Sequence, residues 1–349
     1  MVRFTVLASG SKGNSAVVTG GKTRILVDAG LSCRELFRRM RLAGEDPATL
    51  DAIVITHEHS DHVNGLAVTA RKLGIPVYFT EGTHRAWMRW LTPRRQMTYK
   101  QWLEQCRRQE EARQAEACAP AAEAADDAAE DASETLRLEA GAEAGAETGA
   151  EASAETANGN GAGKHATGKD AAGKDAAGSD PTWLPKVEFF EAGQPFQIGE
   201  IAVSPFTIPH DAVDPVGFVL EAEGVRMAVA TDLGYMPPNV KAQLKGLDLL
   251  LLESNHDLEM LKDGPYPWSV KQRVLSRVGH LSNAAAGEFL ETEYDGQAAY
   301  VILGHLSESN NLPELARVTA ERALRGRASL LRNRLLLAAQ GEPLTPIAF

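Results

Sequence analysis

Thr56-His57-Glu58-His59-Ser60-Asp61-His62 places four potential metal ligands within six residues, directly after the apolar run Asp51-Ala52-Ile53-Val54-Ile55. That run is rich in β-branched side chains and reads as a buried strand over 51–56. A strand end suits ligands because the sheet fixes the backbone while the last side chains reach a cleft. His57 and His59 are two apart and point the same way in an extended segment. Asp61 and His62 turn toward a second point if a helix begins near Val63. Two imidazoles at one point, with a carboxylate and an imidazole at another, suit two divalent metal ions, zinc or manganese. Such a pair polarises an oxygen and makes hydroxide available at neutral pH. A lone histidine is usually a surface or satisfied core residue, but here three of the chain's nine histidines share one short stretch.

Around this stretch the pattern is that of a mixed α and β protein. Strand-like runs occupy 3–8, 15–19 and 23–28, an amphipathic helix follows at 33–42, and a helix over 63–73 precedes a strand at 75–79. After a long interruption, strands are expected at 187–190, 196–198, 201–207, 216–221 and 225–230. A helix near 238–244 and the apolar run 247–252 come next, then helices at 268–278 and 283–291 and a strand at 298–303. Strands joined by short turns outnumber helices, which predicts two mixed sheets covered by outer helices.

The interruption is compositional. Residues 119–180 hold 14 Asp and Glu against four Lys and Arg, leaving 33 acids and 32 bases elsewhere, so the net charge of −11 belongs almost wholly to this segment. Its only large aliphatics are Leu136 and Leu138. Such a sequence cannot bury enough apolar area to offset its ordering entropy. The expected organisation is therefore a discontinuous domain over 1–98 and 181–349, with an insertion over 99–180 that is helix-prone and then disordered. A mobile arm that touches substrate or a partner is the functional alternative, but so degenerate a sequence carries little recognition information. No run of 18 apolar residues suggests a membrane span. The N-terminus shows no signal-peptide pattern. Cys33, Cys106 and Cys118 are odd in number and form no Cys-x-x-Cys pair, which fits a cytoplasmic protein without disulfides.

A metal pair needs more than four ligands. His210, Asp232, His305 and Asp28 each follow a strand-like run beside turn residues. Singly, each could be a cap or a turn residue; together they suggest a cleft along one edge of stacked sheets.

The order Asp28, His57-x-His59-x-Asp61-His62, His210, Asp232, His305 resembles the five-motif pattern of the metallo-β-lactamase superfamily. The resemblance implies an α+β, four-layer αβ/βα sandwich with a dinuclear site at its edge. It implies that His57, His59 and His210 hold one metal and Asp61, His62 and His305 the other. Asp232 would bridge them and Asp28 would support the ligands from behind. Asp232 stands where one class of the superfamily carries a zinc-binding Cys. Only 73 residues separate Asp232 from His305, which leaves no room for a β-CASP insertion. Further strings are similar to the YycJ/WalJ group: Ala8-Ser9-Gly10-Ser11-Lys12-Gly13-Asn14-Ser15, Pro209-His210-Asp211-Ala212, Glu253-Ser254-Asn255-His256-Asp257, Gly279-His280-Leu281-Ser282-Asn283 and Gly304-His305-Leu306-Ser307. That group implies a DNA exonuclease-like activity.

Several residues carry two readings. The 10–15 segment lacks a Gly-Lys-Ser/Thr ending and precedes a strand, so it is no Walker loop. Ser11 and Asn14 either shape the site or belong to a plain connecting loop. Asn255 and His256 are candidates for hydrogen bonds behind the ligands. His280 is a candidate proton donor to a leaving oxygen or an ordinary capping histidine. Cys33 reads as a buried thiol rather than a nucleophile.

The expected chemistry is phosphodiester hydrolysis, with Asp61 or Asp232 taking the proton of the attacking water. Nucleic acid is the expected partner, DNA rather than RNA, gripped by Arg34, Arg38, Arg39, Lys262, Lys271, Arg273 and Arg277. The runner-up is a small-molecule hydrolase of thioesters, lactones or cyclic phosphodiesters, which needs a closed apolar pocket. A non-catalytic regulatory protein is the third reading, and a complete ligand set argues against it.

Overall fold

A strand whose every side chain is apolar must be covered on both faces. Leu249 and Leu251 belong to one buried cluster and Leu250 and Leu252 to another. The computed structural model describes residues 1–92, Arg107, 180–325 and 334–349. It comprises two seven-stranded mixed sheets packed on each other, with helices on the outer faces. The first sheet contains β1 (Arg3–Ala8), β2 (Ser15–Gly20), β3 (Thr23–Val27), β4 (Ala52–Val54), β5 (Pro76–Phe79), β6 (Lys186–Phe189) and β14 (Ile347–Ala348), in the order β14-β1-β2-β3-β4-β5-β6. The second contains β7 (Phe196–Ile198), β8 (Ile201–Thr207), β9 (Val216–Ala222), β10 (Val225–Ala230), β11 (Leu249–Glu253), β12 (Tyr300–Gly304) and β13 (Arg334–Leu337), in the order β13-β12-β11-β10-β9-β8-β7. Strands β3 to β6 are parallel to one another, as are β10 to β13, and the remaining pairs are antiparallel.

Three buried clusters account for the four layers. Phe4, Val18, Val54, Phe218, Leu220 and Leu249 fill the space between the sheets. On the outside of the first sheet, α1 (Cys33–Leu42), α3 (Leu66–Leu73) and α4 (Glu81–Leu91) bury Leu36, Met40, Leu66 and Trp87. Outside the second, α5 (Pro238–Gln243), α8 (Asn283–Thr292) and α9 (Pro313–Arg325) contribute Val240, Phe289, Leu290 and Ala320.

The differences from the sequence reading concern where elements stop. Strand β4 ends at Val54, so Ile55 and Thr56 already lie beyond its ladder. The helix expected over 63–73 is two helices, α2 (Ser60–Val63) and α3. Gly65 separates them: a Cβ there would lie 1.9 Å from the Leu31 carbonyl oxygen. Asp61 and His62 are thus already helical, and the His62 ring lies against that of His57, with centroids 4.1 Å apart. Helix α4 was not expected. Thr80 caps it, accepting from the Thr83 backbone N–H at 3.2 Å. The short α6 (Leu258–Asp263), α9, β13 and β14 were also missed. Helix α7 (Trp268–Val274) ends earlier than expected because the chain turns sharply, with the His280 N–H on the Val274 carbonyl.

Met1–Pro93 and Ala176–Phe349 form one compact unit. The insertion expected over 99–180, helix-prone and then disordered, falls, apart from Arg107 and Asp180, outside the described residues. Among the described residues no helix is long and apolar enough to cross a membrane.

Candidate metal centre

Parallel strands deliver their C-terminal ends to one edge, and the polar cluster is built there. Asp28 follows β3, the histidine-rich stretch follows β4, Asp232 follows β10, Glu253 closes β11 and His305 follows β12. Asp28, Asp232 and His305 have φ of 59°, 62° and 54°, in the left-handed region. Non-glycine residues there cost roughly 1–3 kcal/mol each and persist only where neighbours hold them. The ladders do so; the Asp28 N–H, for example, donates to the Val54 carbonyl at 2.9 Å.

His57, His59 and His210 offer ring nitrogens that all lie within 4.8 Å of one another. His59 Nδ1 and His210 Nε2 stand 3.2 Å apart. The other His210 nitrogen faces the Gly279 carbonyl at 3.1 Å, which leaves Nε2 directed into the cluster. Burial, reinforced by the neighbouring His62, pushes His57 well below the usual imidazole range, and burial lowers His210 likewise. Both are therefore neutral, the form that binds metal.

Asp61, His62 and His305 form a second set within the same 4.8 Å limit. His62 Nε2 is 3.5 Å from Asp61 Oδ2 and 3.3 Å from Asp232 Oδ2. Its Nδ1 meets Asp28 Oδ2 at 2.8 Å. Asp28 in turn accepts from the Thr56 N–H at 2.9 Å and faces the Thr56 hydroxyl, so one buried carboxylate fixes both the ring and the strand end. Burial opposes charge on His62, but Asp232, Asp28 and Asp61 outweigh it and raise the ring well above its usual range. His305 is raised well above as well: burial opposes this and Asp232 prevails. Burial pushes Asp232 up, yet His305 and His62 hold it well below the carboxylate range. Asp232 also groups with His57 and His62, so it faces both sets. Clustered carboxylates that draw protons onto His62 and His305 would equally favour a divalent cation at the same point, because either supplies positive charge.

Glu253 was undervalued in the sequence. It is fully buried, and its Oε1 faces His280 Nδ1 at 2.8 Å and His305 Nδ1 at 2.9 Å. Its Oε2 accepts from the backbone N–H groups of Leu233 at 2.6 Å and Leu281 at 3.1 Å. Burial alone would raise this carboxyl; His280 and His305 reverse the sign and hold it at about 2. The pairing raises His280 against the opposing effect of burial. An acid at the end of an apolar run and two histidines in Gly-His-Leu-Ser contexts were visible; that one carboxylate serves both rings was not.

The remaining candidates divide. Asn14 Nδ2 stands 3.0 Å from both Asp61 Oδ2 and His62 Nε2. Asn255 Nδ2 donates to the His305 carbonyl at 2.8 Å. Ser11 stands exposed on its loop, and the neighbouring Ser9 hydroxyl, unmarked in the sequence, accepts from the His305 N–H at 2.7 Å. His256 is buried, but neither ring nitrogen has a hydrogen-bond partner, and burial lowers it to about 4. Arg39 is not free for phosphate: it is buried, donating to the Leu7 and Gln340 carbonyls and to Glu35.

The donors fit divalent metal ions. His57 Nε2, Asp232 Oδ2 and His305 Nε2 are buried without hydrogen-bond partners, a costly arrangement unless another group satisfies them. Imidazole and carboxylate donors of this kind suit zinc or manganese.

With this fold and this edge in place, the chain belongs to the metallo-beta-lactamase superfamily, whose family model matches residues 8–305. It is similar to exodeoxyribonuclease YycJ of Bacillus anthracis, 30% identical over 326 residues that cover 93% of this chain and 89% of that protein. Exodeoxyribonuclease WalJ of Streptococcus pneumoniae is 29% identical over 317 residues, covering 91% of this chain and 86% of that protein. Among solved structures, the metallo-beta-lactamase fold protein YhfI of Bacillus subtilis matches with a TM-score of 0.54 at 14% identity, covering 98% of this chain and 99% of that one. Zn(2+)-bound PqqB of Methylobacterium extorquens matches with a TM-score of 0.53 at 15% identity, again covering 98% and 99%. At such identities the likeness is one of fold.

Proposed function

We propose that the protein is a metal-dependent phosphodiester hydrolase acting on DNA. The observation that carries this is the convergence of His57, His59, Asp61, His62, His210, Asp232 and His305 at one sheet edge, with buried donor atoms left unsatisfied. His57, His59 and His210 would hold one divalent cation, Asp61, His62 and His305 a second, and Asp232 would serve both. When bound, the pair supplies Lewis acidity and hydroxide at neutral pH.

The chain's own groups handle protons and position. Water oxygen bonds to phosphorus while Asp61 or Asp232 takes its proton, and the bond from phosphorus to the leaving oxygen breaks. His280, which Glu253 draws toward its protonated form and which is 21% exposed, gives its Nε2 proton to that oxygen. Asp28 and Thr56 keep His62 in one orientation, and Asn14 keeps Asp61 beside it. DNA as the substrate is supported by the two relatives named exodeoxyribonuclease. Phosphate contacts would come from exposed Arg34, Lys262 and Arg277. Cys33, a buried free thiol, fits a cytoplasmic setting.

Purified protein with Mn²⁺ or Zn²⁺ should be assayed on duplex DNA, single-stranded DNA, RNA and bis(4-nitrophenyl) phosphate. Hydrolysis of DNA is expected. Asp61→Ala and Asp232→Ala should each lower the rate by about 100-fold or more while weakening DNA binding far less. Turnover of a thioester or lactone with no nucleic acid cleaved would replace this reading by the small-molecule hydrolase.

A further inference from the structure

Helix α7 buries none of its side chains, yet the turn after it is tied to the metal centre. The His280 N–H donates to the Val274 carbonyl at 3.0 Å, and the Asp211 N–H to the Val278 carbonyl at 3.0 Å. The Gly279 carbonyl faces His210 Nδ1 at 3.1 Å. The backbone therefore fixes α7 beside the centre, although packing does not.

Arg273 lies in the last turn of this helix. Its Nε donates to Asp211 Oδ2. The other Asp211 oxygen, buried without a hydrogen-bond partner, lies 3.4 Å from His210 Nε2. One carboxylate thus separates the guanidinium from a proposed metal ligand. The Asp211 hydrogen bond leads in raising the pKa of Arg273, and the charge of Asp61, a member of the other ligand set, adds to it. Among the described residues, Nη1 and Nη2 of Arg273 have no partner, and the side chain is 61% exposed.

The ligand cluster opens to solvent at Asp61 and His280. The side chains of His62, Asp232 and His305 are at most 2% exposed, whereas those of Asp61 and His280 are 18% and 21% exposed. A reacting group must enter past these two. Arg273 is within electrostatic reach of the first and shares a turn with the second. A phosphodiester arrives with one negative charge and gains more as oxygen adds to phosphorus. Asp61, Asp211 and Asp232 would repel it there. A guanidinium presents two parallel N–H groups in a planar fork that matches two phosphate oxygens, which an ammonium cannot do.

We propose that Arg273 is a catalytic residue whose Nη1 and Nη2 hold the non-bridging oxygens of the scissile phosphate, and that Asp211 is the positioning residue that aims it. The inference rests on the phosphodiester-hydrolase reading above. No bond forms or breaks at the guanidinium; its two hydrogen bonds strengthen as charge builds on those oxygens. The same contact selects substrates, since a neutral lactone or thioester offers no anionic oxygen to it.

The test uses the full-length protein loaded with Mn²⁺, on duplex DNA and on bis(4-nitrophenyl) phosphate. Because α7 buries nothing, Arg273→Ala should leave melting temperature and metal content as in the wild type. Its kcat should fall about 100-fold on both substrates, with KM little changed. Arg273→Lys, which keeps the charge, should fall nearly as far. Added guanidinium at a non-denaturing concentration should restore part of the rate to Arg273→Ala. Calorimetric affinity for orthovanadate, a mimic of five-coordinate phosphorus, should weaken about tenfold or more in Arg273→Ala, as loss of charge-assisted hydrogen bonds predicts. Asp211→Asn should slow both substrates, and the double variant should be no slower than Arg273→Ala alone, since the two residues act as one unit.

A wild-type kcat and vanadate affinity in Arg273→Ala would overturn the proposal. So would a loss confined to DNA or to KM, which would place Arg273 on a phosphate remote from the reaction. Loss of metal or of melting temperature in both Arg273 variants, without rescue by guanidinium, would make the residue a brace and overturn it too. A wild-type protein that hydrolyses neither substrate would remove the phosphodiester reading itself. That failure differs from the others, in which the wild type remains active.

Discussion

Replacing Glu253 with Gln keeps its size and tests whether this carboxylate sets the proton positions of the site. Two backbone donors, Leu233 and Leu281, face one carboxylate oxygen, and two imidazole Nδ1 atoms face the other. The backbone N–H groups cannot turn away, so the new amide must keep its oxygen toward them and its NH₂ toward the rings. His280 and His305 must then accept at Nδ1 and carry their protons on Nε2. For His305 that nitrogen lies 3.5 Å from Asp61 Oδ2, inside the proposed second ligand set, where a proton excludes a cation. Loss of such an orienting partner lowers metal affinity about 10–100-fold. Two charge-assisted hydrogen bonds also become neutral ones, a stability loss of roughly 2–3 kcal/mol in the metal-free protein. Calorimetric titration with Zn²⁺ should find two equivalents in the wild type and one weakened step in Glu253→Gln. DNA hydrolysis should fall by about 100-fold or more, since His280, the proposed proton donor, is affected as well. A variant that binds both equivalents with wild-type affinity would refute the assignment of Glu253 as the group that fixes His305.

His280→Ala should slow DNA hydrolysis by about 10²–10⁴-fold but affect an ester with a nitrophenolate leaving group much less, since that group needs no proton; comparison of the two substrates checks this. His256 resists protonation until about pH 4 in the folded chain, whereas the unfolded chain takes up the proton near 6.5. Its contribution to stability therefore falls as pH drops through that window, by about 3 kcal/mol at most. His256→Gln should flatten the stability profile of the metal-free protein between pH 7 and 4 in urea unfolding. Deletion of residues 119–180 should leave the melting temperature and metal content nearly unchanged, and insoluble protein would show that the segment supports the fold.

What could be read from residues alone was the chemistry and the layering. Period-two and continuous apolar runs mark strands covered on one or both faces, because burial acts on each side chain locally. Hence most strands and α1 lay where the pattern put them. The histidine-rich stretch and the isolated His210, Asp232 and His305 were visible as residue types at strand ends. Elements that end through contacts distant in sequence were not visible. Gly65 stops a helix against the Leu31 carbonyl, and α7 closes early as the chain returns to His280.

The sequence by itself determined that donors of metal-binding type recur at the ends of apolar runs, because ligand chemistry and strand formation are properties of single residues and their neighbours. Only the tertiary structure decided which donors meet. Strand order and the packing of the two sheets bring Asp28 behind His62, Glu253 between His280 and His305, and Ser9 onto the His305 backbone, across separations of 27 to 296 residues. Such partnerships leave no local signature, since a buried carboxylate is stabilised by whatever the sheet places beside it. The left-handed backbone at Asp28, Asp232 and His305 follows the same logic. No local preference of Asp or His demands that conformation, and the packed strand ends impose it.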